Sequence, residues 1–500
     1  MDPQDEFDHR RREPFPIDDE DDSGLGPAFD KEPDEDAPDV APPLSDDQSD
    51  FLLQRFLEIE QALVGRWPES KLEPSLDRVS AVCDLLGNPQ NSCAVIHIAG
   101  TNGKTSTSRM IESLLRMFGL RTGLYTSPHL HSVRERIRLD GEPIDIERFV
   151  RIYEDVAPYL EIVDQRNAEL GAPRLSYFEA ITCMGFAAFA DAPVDVAVLE
   201  VGMGGRWDAT NVATAQVAVV MPIGLDHVEY LGADVATISV EKAGVIKPES
   251  TAVLARQTLD AAEVLLARCV EVGAVVAREG LEFEVVSRAP AVGGQVISIQ
   301  GLAARYDDIF LPLFGAHQAA NAAAAVAAVE AFLGGGTNPL SIDLIRAAFG
   351  AVVSPGRLEA VRRNPTVLVD AAHNPHGAQA LAAAIQDGFD FTHLVGVIAV
   401  LGDKDARGLL EALDPVLAEV VISSSSSPRA RAAETLAILA RDVFGSARVH
   451  VVDRMSDAVE RAIELAELAS LEHGGGAGVL ITGSVVTAAE GRSLLGRGEA

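Results

Sequence analysis

Ile96-His97-Ile98-Ala99-Gly100-Thr101-Asn102-Gly103-Lys104-Thr105-Ser106-Thr107 runs from an apolar strand through a glycine-bearing turn into a helical stretch predicted over 105–118. A strand feeding a helix in this way aims backbone N–H groups and the helix N-terminus at a phosphate. Lys104 would neutralise the β- and γ-phosphates, and Thr105 offers a hydroxyl to Mg²⁺ or to a phosphate oxygen. The general phosphate-loop pattern places four residues between its two glycines, whereas only Thr101 and Asn102 separate Gly100 from Gly103. The rival reading is a plain strand–turn–helix with a surface lysine. GTNGKT directly after an apolar strand is too specialised for that.

Outward from this segment the chain alternates short apolar strands with helical stretches, the pattern of an α/β protein. Strands are expected at 94–100, 121–127, 194–202 and 217–224. Several are apolar throughout, as central parallel strands covered on both faces must be. Over 251–313 the strands TAVLAR, EFEVVS, QVISIQ and DIFLPL read as an antiparallel addition to the main sheet, without long helices between them. HQAANAAAAVAAVEAFLG (317–334) reads as an alanine-rich helix closed by glycine. SPGRLEAVRRNP (354–365) reads as a hinge, and strands recur at 366–370, 393–401, 419–424, 449–453 and 478–483. The expected organisation is a phosphate-loop domain with a mostly parallel sheet at 51–353, then a smaller Rossmann-like α/β domain at 354–500.

The 500 residues carry a formal net charge of −34, which argues against a nucleic-acid backbone as partner. Much of the acid lies in residues 1–50, which hold few apolar residues and are expected to form a disordered tail without chemistry. No apolar run reaches the roughly 18 to 20 residues that span a bilayer, and no secretory signal opens the chain. Cys83, Cys93, Cys183 and Cys269 show no metal-binding spacing and read as the reduced thiols of a cytoplasmic protein.

Two further polar groups stand where α/β sites gather, at strand ends. Glu200 closes an apolar strand and is followed by Gly-Met-Gly-Gly, and His227 follows Asp226 after another strand. A lone Glu or His in such a place serves a structural hydrogen bond more often than a metal.

The chain as a whole resembles the folylpolyglutamate synthase/dihydrofolate synthase family of the Mur ligase superfamily. The segments that carry the likeness fall in that family's order over residues 51–490: LDRVSAVCDLLGNPQ, the shortened phosphate loop, TSPHL (126–130) with Glu135-Arg136-Ile137, SYFEAIT (176–182), EVGMGGRWDATN (200–211), IGLDHVEYLG (223–232), EKAGVIK (241–247), GAHQAANAAAA, PGRLE, DAAHNP, GDKDA and ITGS. The resemblance implies a Mur ligase-like fold and an ATP-dependent ligase. Such an enzyme adds L-glutamate to dihydropteroate and to the γ-carboxylate of reduced folates through an acyl phosphate. It implies ATP as co-substrate and two Mg²⁺ ions; a monomer is expected because no amphipathic dimer seam stands out in the sequence.

The family's residue roles carry over by motif. Gly100 to Ser106 and Asn321 would hold the nucleotide. Ser127, Glu200, His227 and Thr105 would bind Mg²⁺. Lys242, carbamylated, would help hold a second ion. Arg357 would reach the γ-phosphate, Asp370 the ribose or phosphate end, and His373 the nucleotide or glutamate, a structural role being equally open for His373. Lys104, Lys242, His227 and Arg357 are the expected catalytic residues. Leu72 and Glu73 of the KLEP segment, Ser176, Tyr177, Phe178, Trp207 and Asp208 would line the dihydropteroate pocket. For Tyr177 and Phe178 core packing is the even alternative.

Three positions depart from the family pattern: Ala371 replaces a usual glycine, Trp207 a common leucine, and Thr105 a glycine. The last resembles the cell-wall Mur ligases, which add an amino acid to a UDP-muramyl precursor. Those enzymes place a domain of about one hundred residues before the loop, and too little ordered chain precedes it here. A non-catalytic nucleotide switch would not need PGRLE and DAAHN.

Overall fold

In the computed structural model, residues 46–66, 73–473 and 475–498 are described. Of the tail expected over 1–50, residues 1–45 lie outside them, while 46–50 open the helix Asp46–Val64. Leu72 is also outside the described residues.

Strands β1 (Ala94–Ala99), β2 (Thr122–Tyr125), β3 (Ile137–Leu139), β4 (Glu142–Pro143), β5 (Val196–Glu200), β6 (Val217–Val220), β7 (Thr251–Leu254) and β8 (Val275–Arg278) form one sheet in the order β4-β3-β2-β5-β1-β6-β7-β8. It is parallel from β2 to β8 and antiparallel at the β2–β3–β4 edge. Alternation along each strand explains the apolar runs. Ile96, Ile98, Val196, Val198, Val217 and Val219 pack on the helices Lys104–Met117 and Ala316–Gly334. Val95, Ala197 and Leu199 pack on the opposite face against Tyr177–Asp191 and its neighbours. β1 is the axis of this arrangement, and its C-terminal end delivers the phosphate-facing turn.

Strands β9 (Glu284–Ala291), β10 (Gly294–Gln300) and β11 (Arg305–Leu311) make a separate antiparallel sheet. This corrects the reading of 251–313 as one antiparallel addition. TAVLAR is instead a parallel strand of the main sheet, and the helix Leu259–Val272 and a further parallel strand follow it. That helix buries Ala261, Leu265 and Cys269, a narrow i, i+4, i+8 stripe that its other apolar residues obscure.

β12 (Glu359–Arg363), β13 (Thr366–Val369), β14 (His393–Ile398), β15 (Glu419–Ile422), β16 (Val449–Val451) and β17 (Ala477–Thr482) form the third sheet, ordered β12-β13-β17-β14-β15-β16. Only the β12–β13 pair is antiparallel. Leu394 and Ile398 face the helices Pro375–Gly388 and Ala406–Leu413, while Val395 and Val397 face Met455–His473. The stretch read as a hinge is therefore part edge strand, because Glu359–Arg363 pairs with β13. No helix among the described residues is long and apolar enough to cross a membrane.

The helix Ala316–Gly334 is buried on nearly all sides, with Ala322 to Ala328 sealed between the first sheet's layer and the helix Lys104–Met117. Methyl side chains let the two helices approach closely. Ala324→Leu should therefore lower stability by about 1–3 kcal/mol through overpacking. Denaturant unfolding reads this directly, and an unchanged midpoint would show that the contact has slack.

Candidate active site

The turn after β1 is held open by glycine and closed by lysine. Gly103 caps the helix with φ 87°, and a Cβ there would lie 2.7 Å from Asn321 Oδ1, so the helix Ala316–Gly334 sits directly on the turn. Thr101 Oγ1 donates to Gly224 O at 3.0 Å, which fixes the turn to the loop after β6. Lys104 Nζ donates to Gly100 O and Thr101 O, both at 3.1 Å. Lys242 Nζ donates to the same Gly100 O at 2.9 Å. Burial pushes both ammonium groups down, Lys242 to about 7, with the Lys104 charge adding to the effect on Lys242. Lys242 reaches this point because Gly205 lies flat on the end of its helix. A Cβ at Gly205 would stand 2.5 Å from Glu241 O.

Opposite the lysines, Glu200 at the end of β5 is buried, and burial raises its pKa against the pull of Lys104 and the Thr105 hydroxyl. Thr105 Oγ1 donates to Glu200 Oε1 at 2.8 Å, and the Ser127 N–H lies 3.4 Å from Glu200 Oε2. The Thr105 hydroxyl and the Ser127 backbone N–H thus both meet the Glu200 carboxylate, which leaves Glu200 and Thr105 as the hard oxygen groups placed together here. Among the described residues no group of three or more His, Cys, Asp or Glu side chains could hold a metal by itself. A cation here would have to complete its shell with water and phosphate oxygens. That is how Mg²⁺ is usually held, by one or two carboxylates plus substrate phosphates, so the donor set fits Mg²⁺.

Asp226 is the junction between the first and third sheets. Its carboxylate accepts from Lys404 Nζ at 2.6 Å and from Asn374 Nδ2 at 3.2 Å, with His373 Nε2 at 3.5 Å and His227 Nε2 at 3.9 Å. Burial alone would raise its pKa, but the His373 bond and the neighbouring His227, His373 and Lys404 groups hold it far below the carboxylate range. Asn374 also exchanges amide bonds with Asn102 of the turn, at 3.2 and 3.3 Å, and Asn102 Nδ2 meets His376 Nδ1 at 2.9 Å. His227, with φ 50°, is pushed down to about 4, first by burial and then by Lys404, His373 and Lys104, against the pull of Asp226. It is a neutral imidazole at neutral pH, the form that ligates metal.

Arg357 sits in a turn whose next residue, Leu358, has φ 46°, an unusual conformation for a bulky side chain. Asp370 holds that turn, accepting from Leu358 N and Ala372 N at 2.8 Å each. Its carboxylate, expected at the ribose or phosphate end, therefore shapes the Arg357 turn. Ser106 Oγ lies 3.1 Å from Ser354 Oγ and accepts from Gln318 Nε2 at 3.3 Å, tying turn, helix and third-sheet segment together.

Beside this polar centre lies a cavity of ≈ 1020 Å³. Phe178, Trp207, Leu225 and Tyr230 are among its apolar lining, and His373, His376, Lys404 and Arg429 among its polar lining. Glu73, Ser127, Ser176, Asp208 and His227 also line it. Tyr177 does not. It is half-buried against the core, with the Arg136 guanidinium 5.0 Å from its ring centre, while Phe178, packed against the same core, reaches the cavity. Ser176 serves first as the cap of that helix, paired with Glu179. Asp208 spends its carboxylate on the N–H groups of Gly202, Met203 and Thr210, shaping the loop after Glu200 and leaving little for a substrate.

The motifs did not single out Asp226, Lys404, Asn102's partner Asn374, or Arg109. Arg109 lies one turn beyond Thr105 on the same helix face, and burial, with Arg138 nearby, brings it down to about 10. GDKDA and DAAHNP were visible as motifs, but nothing in their spacing assigns Lys404 to Asp226.

Residues 98–329 match the Mur ligase middle domain, and residues 356–485 match the Mur ligase, glutamate ligase domain. The chain is 52% identical over 458 residues to the dihydrofolate synthase/folylpolyglutamate synthase of Mycobacterium tuberculosis, covering 88% of this chain and 94% of that one. It is 32% identical to the Bacillus subtilis enzyme of the same description, covering 73% and 84%. The fold is similar to that of M. tuberculosis folylpolyglutamate synthase complexed with ADP and AMPPCP, with TM-score 0.86, 51% identity, and 90% and 100% of the two chains covered. It is also similar to Escherichia coli FolC in complex with DHPP and ADP, with TM-score 0.75, 29% identity, and 88% and 97% covered. By the extent and level of these matches, the chain belongs to the dihydrofolate synthase/folylpolyglutamate synthase family of Mur ligases.

Proposed function

We propose that the protein is an ATP-dependent ligase that adds L-glutamate to dihydropteroate and to the γ-carboxylate of reduced folates. The observation that carries this is the pairing of a cation-rich phosphate turn with a cavity lined by both aromatic and cationic side chains. A pterin ring suits Phe178 and Trp207, while a carboxylate-bearing amino acid suits His373 and Lys404. The relatives' names carry both synthase activities, and solved relatives hold ADP, AMPPCP and DHPP.

The chemistry follows from leaving groups. A carboxylate does not form an amide because oxide leaves poorly. In the proposed reaction a carboxylate oxygen attacks the γ-phosphorus, the bond to the bridging oxygen breaks, and ADP departs. Glutamate's amine, having lost a proton to water, then attacks the acyl carbon. The carbon–oxygen bond to phosphate breaks, phosphate leaves, and the amide nitrogen loses its remaining extra proton. The chain's contribution is positioning and charge neutralisation. Lys104 moves from the turn's own carbonyls to the β- and γ-phosphates. Arg357 meets the γ-phosphate from the third sheet, and Asn321 and the N–H groups of Gly100 to Ser106 hold the nucleotide. Bound Mg²⁺ would supply phosphate charge neutralisation, held by Thr105, Ser127, Glu200 and His227. Lys242, buried and close to neutral, has the free amine needed to add CO₂ and become an anionic carbamate. In this reading 354–500 acts as a closing domain. The protein works as a cytoplasmic monomer on small molecules.

ADP release with ATP, Mg²⁺, glutamate and either dihydropteroate or a reduced folate tests the activity. Turnover with both acceptors is expected, and silence with both would refute the reading. Lys104→Ala should cut ADP formation by about a hundredfold or more, and retained turnover would remove the turn from the site. His227→Ala should shift the Mg²⁺ titration of turnover upward, and an unchanged titration would make it structural. Isotopically labelled bicarbonate should give a carbamate signal that Lys242→Arg removes, and a signal unaffected by that change would exclude Lys242.

A further inference from the structure

Outside the phosphate turn and the Asp226 cluster, a further group of side chains joins three distant segments. Arg492, on the helix Val485–Leu494 after β17, donates from Nε to Glu359 Oε2 at 2.8 Å and from Nη2 to Glu359 Oε1 at 3.4 Å. Its Nη1 donates to His131 Nε2 at 2.6 Å. Since arginine only donates, His131 Nε2 is the acceptor and its Nδ1 carries the proton, 3.3 Å from Ser493 Oγ. The same Glu359 Oε2 accepts the Gly356 N–H at 2.8 Å, immediately before Arg357. On the other side, Glu135 accepts the N–H groups of Leu130, His131 and Ser132. That fixes the loop carrying Ser127. Leu130 of this loop packs 3.5 Å from where a Gly356 Cβ would be, and joins the third sheet's core. The Arg492 and Glu359 side chains are only 12% and 25% exposed, so the pair is held in a poorly solvated seam.

We infer that Arg492 is a positioning residue that seats Arg357 toward the γ-phosphate by clamping the Arg357 turn to the Ser127 loop. Arg492 does not line the cavity and acts through Glu359 and Gly356. Glu359 alone would fix the turn only to its own strand. The Arg492 fork adds the link to His131, and a lysine cannot reproduce that fork. The inference rests on the proposed nucleotide role of Arg357, not on the identity of the acceptor.

The test is calorimetric binding of AMPPCP and of ADP to the full chain, with kcat as a second readout. Arg492→Ala should weaken AMPPCP by about fivefold or more, leave ADP within about twofold, and lower kcat by about tenfold to a hundredfold. In an Arg357→Ala background the same change should have no further effect on AMPPCP binding, because the two residues act in one chain of contacts. Equal loss for both nucleotides, no loss for either, or full additivity with Arg357→Ala would overturn the inference. If Arg492→Ala does not fold, Arg492→Lys reads the same γ-phosphate selectivity. An absence of ADP release by the unaltered protein would instead refute the ligase reading, leaving the nucleotide comparison intact.

Discussion

Two buried ammonium groups, those of Lys104 and Lys242, share one backbone carbonyl, that of Gly100. Withdrawing two cations from water to neutral backbone carbonyls is costly unless an anion completes the site. Both groups respond by a lowered affinity for their protons. Much of the surrounding architecture serves this point. β1 delivers the turn, Gly205 lets the Lys242 helix come close, and Gly103 lets the helix Ala316–Gly334 close over it. A phosphate chain is the natural partner, since it replaces carbonyl contacts with charge-assisted ones.

Negative charge is provided in two places with different purposes. Glu200 stays on the first sheet, bonded to Thr105, where it can share a cation with phosphate oxygens. Asp226 gathers Lys404, His373 and Asn374 from the third sheet. Because Asn374 also holds Asn102, the third sheet is registered directly on the phosphate turn. Asp226, His373, Asn374 and Lys404 also line the cavity.

The phosphate turn, the strands around it and most site motifs were legible because they are local. Ile96 to Thr107 contains strand, turn and helix start in twelve consecutive residues. What was not legible depends on distance or on side-chain direction. Asp226 and Lys404 are 178 positions apart, and no spacing rule joins them. Tyr177 and Phe178 are neighbours, yet only one faces the cavity, because a helix turns them about 100° apart. Asp208 and Asp370 stand in site motifs but spend their oxygens on backbone N–H groups, a use that composition does not distinguish from ligand binding. The separate antiparallel sheet was misplaced because strand pattern fixes exposure, not partner.

The central claim is that the acceptor's carboxylate is phosphorylated before the amine attacks. It is tested most directly by running the reaction with heavy oxygen in the acceptor carboxylate and measuring the label in the released inorganic phosphate. The account predicts that one labelled oxygen passes to phosphate in each turnover. Unlabelled phosphate formed alongside amide product would contradict the acyl-phosphate route.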